Sequence, residues 1–491
     1  MSKNKFYITT SIPYTNAPPH IGFAFEIIQA DVIARHRRSL KEDVFFLTGT
    51  DEHGLKTLRA AEIAGKEVMQ FADEMSDKFK ELAKILNISN DDFIRTTDEK
   101  RHLPAVYKLW EEFKKNGDIY KKKYKGLYCE GCESFKTEKE VVGGKCALHP
   151  KMDIKEIEEE NYFFRLSKYL PEIKKIIKKG KIKIIPRSKK NEILGMIKGG
   201  LDDVSFSRAK EKYWGWPVPG DENQVFYVWQ DALPNYISAI GYGENSKNFK
   251  KYWPADVHCI GKDIIKFHAI YWPAMLMSAD IQLPKEIFVH GFINVDGQKM
   301  SKSLGNVIDP FELVKKYSSA SSPQAGTDAV RYYLLREITP TEDGDFTYEK
   351  FEQRYNSDLA GGIGNLLART VTLAKKTEFK EKKPSVKIKK ETEKAKKESG
   401  IFLEEFKFND SLKLIWDLIS FCDKYINEEK PWENGKSALQ VVSDVLFALN
   451  KISYMLEPFL PETAKKIKKS VEKKESVILF PRLEKTLTKQ G

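Results

Sequence analysis

Residues 6–47 read FYITTSIPYTNAPPHIGFAFEIIQADVIARHRRSLKEDVFFL, and this stretch decides the fold. The apolar run Phe6 to Thr10 has the length and residue types of a buried strand, and the Pro- and Asn-rich segment Ser11 to Pro19 breaks it. From about His20 a helical pattern takes over. Ile21, Ala24, Ile28 and Val32 recur near helical spacing, and Arg35, His36, Arg37 and Arg38 crowd the last turns, where cations suit the helix dipole. Val44 to Leu47 is apolar again. Strand, helix, strand in about forty residues is a βαβ unit, the start of a parallel α/β sheet. The turn Pro18-Pro19-His20-Ile21-Gly22 leaves free N–H groups and the positive end of the dipole facing whatever lies above the sheet. That arrangement suits a phosphate: His20 can donate to its oxygens, and Gly22 leaves room for a planar base.

Outward from this unit, Val225 to Trp229, Val257 to Ile260 and Ile287 to Phe292 read as further strands of the same sheet. The expected division is 1–117 and 224–292 as two halves of one α/β domain, 118–223 as an insertion, 293–348 as a loop-bearing region, and 349–491 as a helical domain. The last rests on Leu412, Ile415, Trp416, Ile419 and Ile426 at helical offsets. The stretch Ser318 to Thr327 reads as a flexible surface loop, and the lysine-rich 375–397 as a solvated connector or exposed helix face.

The chain has 491 residues, 41% of them hydrophobic, which suggests about three domains and excludes disorder as a whole-chain state. Its 83 basic against 71 acidic residues give a net charge of +12, so a polyanion is a reasonable partner. No apolar stretch reaches the ~18 residues of a membrane span, because Asp231, His268 and Pro273 interrupt the candidates. Nor does the N-terminus resemble a secretory signal. A soluble, cytoplasmic protein with reduced cysteines is expected.

Two further motifs carry chemistry. Lys299-Met300-Ser301-Lys302-Ser303 places two lysines on a loop after a strand-like run, where mobile point charges can close over a triphosphate and meet the charge building on leaving pyrophosphate. Cys129-Glu130-Gly131-Cys132, then thirteen residues, then Cys146-Ala147-Leu148-His149 has the spacing of two zinc knuckles. Four protein ligands leave no open coordination position, so one structural Zn²⁺ is expected. Cys259 and Cys422 sit in apolar patterns and are expected as buried thiols.

These motifs together resemble the methionyl-tRNA synthetase family of class I, over almost the whole chain. The likeness extends through Phe46 to Gly54, Tyr227 to Ala232, Gly261-Lys262-Asp263-Ile264 with His268, and Tyr425 to Glu428 with Pro431-Trp432. It implies a Rossmann-like catalytic domain, a zinc-binding connective insertion and a C-terminal helical bundle that reads the anticodon. The implied activity is methionine–tRNA ligation: methionine and Mg-ATP form methionyl-adenylate, and the methionyl group passes to tRNA(Met) for initiation and elongation. The resemblance makes His20, Lys299 and Lys302 catalytic and places ATP on His20, Gly22, Phe23, Lys262, Asp263, Lys299, Met300, Ser301 and Lys302. It places methionine against Ile12, Tyr14, Asp51, Trp229, Ala232, Leu233, Tyr236, Ile264 and His268, with Asp51 facing the ammonium. Asn365, Arg369, Pro431 and Trp432 correspond to the anticodon reader. A monomer is expected.

The family signature usually ends in a second histidine where this chain has Phe23. A lost transition-state donor costs about 2.7 to 4 kcal/mol. The alternatives are a class I synthetase for another amino acid or, because of Phe23, a catalytically impaired tRNA-binding paralogue.

Overall fold

The computed structural model describes residues 4–129, 134–136, 141–147, 149–244, 246–300, 305–376, 382–433 and 435–484. They fall into two compact units: Met1–Pro18 with Glu42–Glu81 and Asn90–Val289, and Pro19–Lys41 with Leu82–Ser89 and His290–Gly491.

The first unit is built on a six-stranded sheet in the order Lys183–Ile185, Glu286–His290, Val257–Gly261, Lys5–Thr10, Asp43–Thr50, Asp92–Arg95. Lys5–Thr10 runs parallel to both neighbours, with Ile8 opposite Val257 on one side and Phe46 on the other. Phe6 to Thr10 are buried without alternation, as in a strand covered on both faces. At this strand the order reverses, and in open α/β sheets ligands lie beyond the carboxyl ends of the strands at such a reversal. Ile12 and Tyr14 follow Thr10, Asp51 follows Thr50, and Lys262 and Asp263 follow Gly261.

One expected strand is corrected. Asp221–Phe226 belongs to a separate three-stranded sheet with Ser207–Ala209 and Pro217–Val218, and the chain turns helical at Val228–Ala232. A short apolar run buried all round fits either element, so its periodicity does not choose. Between residues 118 and 223, a long antiparallel pair joins Ile119–Cys129 to Lys155–Phe164. The same segment also supplies the edge strand Lys183–Ile185 of the main sheet.

In the second unit the Ile21–Ser39 helix is buried along most of its length. Arg331, fully buried, clamps it: one guanidinium nitrogen lies 2.7 Å from Asp31 Oδ2, and others donate to the carbonyls of Leu86 and Phe459. The helices Asn365–Lys376, Val386–Glu404, Phe408–Glu429, Gly435–Leu456 and Pro461–Lys473 follow. Leu412, Ile415, Trp416, Ile419 and Ile426 are all buried. The serine-rich stretch is not an open loop. Ser322 is buried and its hydroxyl donates to the Leu479 carbonyl at 2.6 Å, and the stretch's last residues, Ala325 to Thr327, form the start of the Ala325–Arg336 helix. Among the described residues no helix is long and apolar enough to cross a membrane.

Candidate functional site

In the first unit the loops after two adjacent strands are tied together. The Thr15 N–H donates to the Asp51 carbonyl and the Asp51 N–H to the Pro13 carbonyl, at 3.0 and 2.9 Å, so Tyr14 and Asp51 sit side by side. Asp51 is buried, and the Lys56 ammonium lies 4.6 Å from the centre of the Tyr14 ring.

A second wall comes from two short helices and a π-helical turn. Trp229 on Val228–Ala232 stacks on Phe267 with ring centres 3.7 Å apart and planes 7° apart. Ala232, Leu233 and Tyr236 are buried beside it. The Tyr236 hydroxyl lies 2.7 Å from His268 Nε2, and His268 Nδ1 lies 3.0 Å from the Ile264 carbonyl. A carbonyl only accepts, so Nδ1 carries a proton. In the neutral ring Nε2 then accepts from Tyr236. Ile12, Tyr14, Trp229, Ile264 and Phe267 are only partly buried, each packed on the core with one side uncovered.

A buried polar relay joins the two walls. His53, two residues beyond Asp51, meets Asp231 Oδ2 at 2.7 Å, and Asp231 lies between Trp229 and Ala232. His102 holds the other side of Asp231 through Nε2, at 2.9 Å from its carbonyl and 3.2 Å from Oδ1, and its Nδ1 lies 2.9 Å from Ser238 Oγ. Burial alone pushes the Asp231 carboxyl up, but the imidazoles of His53 and His102 more than offset it and hold it below the ordinary carboxylate range. Behind Tyr236, the His258 ring lies 4.4 Å away, centre to centre, with Nδ1 2.8 Å from Thr9 Oγ1. Burial, with His268 adding a little, lowers the His258 pKa well below its usual value. Lys262 is half-buried and Asp263 exposed.

The second unit carries the phosphate-type turn. His20 caps the Ile21–Ser39 helix: its backbone is extended, and its Nδ1 accepts from the Gly22 N–H at 3.0 Å. A Cβ on Gly22 would stand 2.8 Å from His20 Cε1, so only glycine leaves the capping ring in place. It would also stand 3.7 Å from Met300 Cε, which puts the start of the dibasic loop beside the capped turn. Lys299 ends the Ile293–Val295/Gln298–Lys299 hairpin with its ammonium 5.6 Å from the Phe292 ring centre. Ser301 and Lys302 lie outside the described residues. Phe23 is buried, 8% exposed.

Farther along the same unit, Arg369 lies one helical turn after Asn365, its guanidinium 4.9 Å from the centre of the Trp432 ring and 3.5 Å from Asp423 Oδ1. The Phe408–Glu429 helix ends at Lys430 in the left-handed conformation, which turns the chain into buried Pro431 and half-exposed Trp432. Of the cysteine cluster, Cys129 is buried opposite Ser134 on one hairpin and Cys146 is buried opposite His149 on another. Cys132 and the side chain of His149 lie outside the described residues. Among the described residues no three potential metal ligands gather. Cys259 and Cys422 are buried.

His53, His102, His258 and Phe267 were not expected at the site. Their signal is spatial, since His53 and Asp231 are 178 residues apart in the chain.

A family model described as class I tRNA synthetases (M) matches residues 6–371, and an anticodon-binding domain of tRNA ligases matches 387–490. The chain is 46% identical to the methionine–tRNA ligase of Thermotoga maritima over 94% of its own length and 74% of that protein's. It is 41% identical to that of Brucella suis, over 95% and 92%. Among solved structures, Mycobacterium tuberculosis methionyl-tRNA synthetase in complex with methionyl-adenylate superposes with a TM-score of 0.88 at 37% identity, covering 94% of this chain and 93% of that one.

Proposed function

The chain belongs to the methionyl-tRNA synthetases of class I, and on that premise we propose how its own residues divide the work. The enzyme activates L-methionine with ATP as methionyl-adenylate and passes the methionyl group to tRNA. In the first step a methionine carboxylate oxygen attacks the α-phosphorus and expels pyrophosphate. In the second, a ribose hydroxyl of the tRNA attacks the acyl carbon and releases AMP.

The observation that carries the assignment is the pocket wall in which the stacked Trp229 and Phe267 stand beside the Tyr236–His268–Ile264 hydrogen-bond chain. Flat, polarisable rings suit a flexible thioether. Ile12, Tyr14, Ala232, Leu233 and Ile264 complete the apolar surface, and Asp51 takes the ammonium. ATP, with Mg²⁺, lies on the His20 turn with Gly22 and Phe23, and on Lys262 and Asp263. Lys299, Met300, Ser301 and Lys302 close over its phosphates and stabilise the departing pyrophosphate.

Asn365, Arg369, Pro431 and Trp432 read the tRNA(Met) anticodon, by stacking and by edge contacts from amide and guanidinium groups. The buried thiols of Cys129 and Cys146, on two hairpins that touch through the strands Ile119–Cys129 and His149–Asp153, suit a soft thiophilic ion. With Cys132 and His149 they would hold one Zn²⁺, which supplies only structural cross-linking of the insertion. A cytoplasmic monomer completes the reading.

Pyrophosphate exchange with a panel of amino acids tests the assignment. Methionine alone should support exchange, with charging of tRNA(Met) following. Equal exchange with another amino acid, or none with methionine, would overturn it. Metal analysis finding far less than one zinc per chain would remove the zinc site.

A further inference from the structure

Between Lys174 and Lys198 the chain carries ten basic residues and one acidic residue, a local charge of +9 in 25 residues against +12 for the whole chain. The segment folds as the end of the Leu166–Lys178 helix, the Lys183–Ile185 edge strand and the Arg187–Gly199 helix. Its apolar side is spent inward: Ile173, Ile176, Ile177, Ile182, Ile184, Ile193 and Ile197 are buried. Lys175, Lys183 and Lys189 are paired with Glu172, Glu286 and Glu192. Lys174, Lys178, Lys179, Lys181, Lys190 and Lys198 are left in no ion pair among the described residues. The Arg187–Gly199 helix packs on both the Leu166–Lys178 helix and the Lys183–Ile185 strand, so these like charges on adjoining elements repel one another, and a bound polyanion would relieve that repulsion.

We propose that this face is a second contact surface for the tRNA, gripping its sugar–phosphate backbone outside the anticodon. The proposal rests on the ligase reading above and adds to it a binding surface. Lysine ammonium groups are mobile point charges, suited to phosphates whose exact position is not specified by sequence. The Leu166–Lys178 helix packs on the Phe267–Tyr271 turn that carries His268. The surface therefore belongs to the body that holds the methionine-binding residues, to which the tRNA must bring its terminal ribose. A lipid surface fits less well. An interfacial helix needs an exposed apolar face, and no large hydrophobic residue described between 143 and 306 is exposed.

The test uses the full chain with Lys174→Gln, Lys178→Gln, Lys179→Gln and Lys181→Gln combined, and the matched fourfold arginine variant. Methionine-dependent exchange without tRNA should be unchanged in both. In the glutamine variant KM for tRNA(Met) should rise about tenfold, and the slope of log affinity against log salt between roughly 50 and 200 mM should become shallower by about two to three. The arginine variant should behave as the parent. Unchanged KM and slope in the glutamine variant would overturn the proposal. So would parent protein that binds phosphatidylserine vesicles through these lysines while tRNA binding ignores them. A parent chain without exchange would instead sink the ligase reading, and the tRNA titration alone would still decide the surface.

Discussion

The proposed methionine pocket and the proposed anticodon group around Trp432 face opposite recognition problems. Around Tyr236 and Asp231 the polar groups are buried and already engaged: Tyr236 with His268, His268 with the Ile264 carbonyl, and Asp231 between His53 and His102. Around Trp432 the ring is 50% exposed, and Arg369 rests between it and the partly exposed Asp423. A small substrate with few directional groups is selected by shape fixed during folding, so little ordering is left for binding. RNA bases must be splayed out and stacked, which favours exposed planar groups that change partners on binding. One site is stiff because it is buried, and the other is adaptable because it is not.

The largest expected break in this contrast is at Asp51. Asp51→Asn keeps the size and removes the charge that the proposed reading sets opposite the substrate ammonium. Loss of one partner of a desolvated charge pair costs about 2 to 5 kcal/mol, so kcat/KM for methionine in pyrophosphate exchange should fall by about thirty-fold or more. Affinity for tRNA, titrated directly, should not move. A change below about threefold in exchange would remove Asp51 from the ammonium role. Next comes Trp432→Ala. Base stacking is worth about 1 to 3 kcal/mol, so charging of tRNA(Met) should drop about five- to a hundred-fold while exchange stays at the parent rate. Equal losses in both assays would mean that Trp432 supports the fold rather than RNA.

Tyr236→Phe is gentler. It removes one neutral hydrogen bond and no charge, which costs about 0.5 to 1.5 kcal/mol. KM for methionine should rise a few-fold with KM for ATP unchanged. A rise in both would place Tyr236 in general packing.

Much of this architecture is legible in sequence where local pattern and burial agree. Phe6 to Thr10, Val44 to Leu47 and Val257 to Ile260 are strands of the main sheet, and the helix begins beside His20 as its spacing predicts. Local pattern fails where burial on every side erases periodicity, as after Phe226, and where an edge strand is only three residues long and bears a lysine, as at Lys183–Ile185. It also fails at Ser322, whose buried place depends on a chain segment about 157 residues away. Tyr14, Trp229, Tyr236 and His268 could be named from the family resemblance, but the relay behind them could not be read from the sequence. His53, His102 and Asp231 meet across loops, and a lone histidine in sequence carries no sign of its partner. Phe267 is similar: it reads as ordinary core until Trp229 is found lying flat on it.

The smallest effect tests why the buried wall can stay in one state. His258 lies against Tyr236 in a fully buried setting, and burial first, then the neighbouring His268, depress its pKa well below the usual value. A base with a depressed folded-state pKa favours the neutral form when folded. Its contribution to stability is complete above the unfolded value near 6.5 and is lost as pH falls below it. With the folded ring still neutral at pH 6, the unfolded chain gains on the order of 1 kcal/mol there from protonation that the native state forgoes. Denaturant titrations of the parent and His258→Gln at pH 8 and pH 6 isolate this, because other titrating groups cancel in the difference. The parent should lose on the order of 1 kcal/mol more than the variant over that interval. Equal losses would mean that His258 takes up its proton in the folded wall, and an imidazolium would then sit behind the ring whose hydroxyl orients His268. The thioether pocket proposed here gains nothing from that charge, so the Tyr236–His268 bond is expected to persist unchanged across the physiological range.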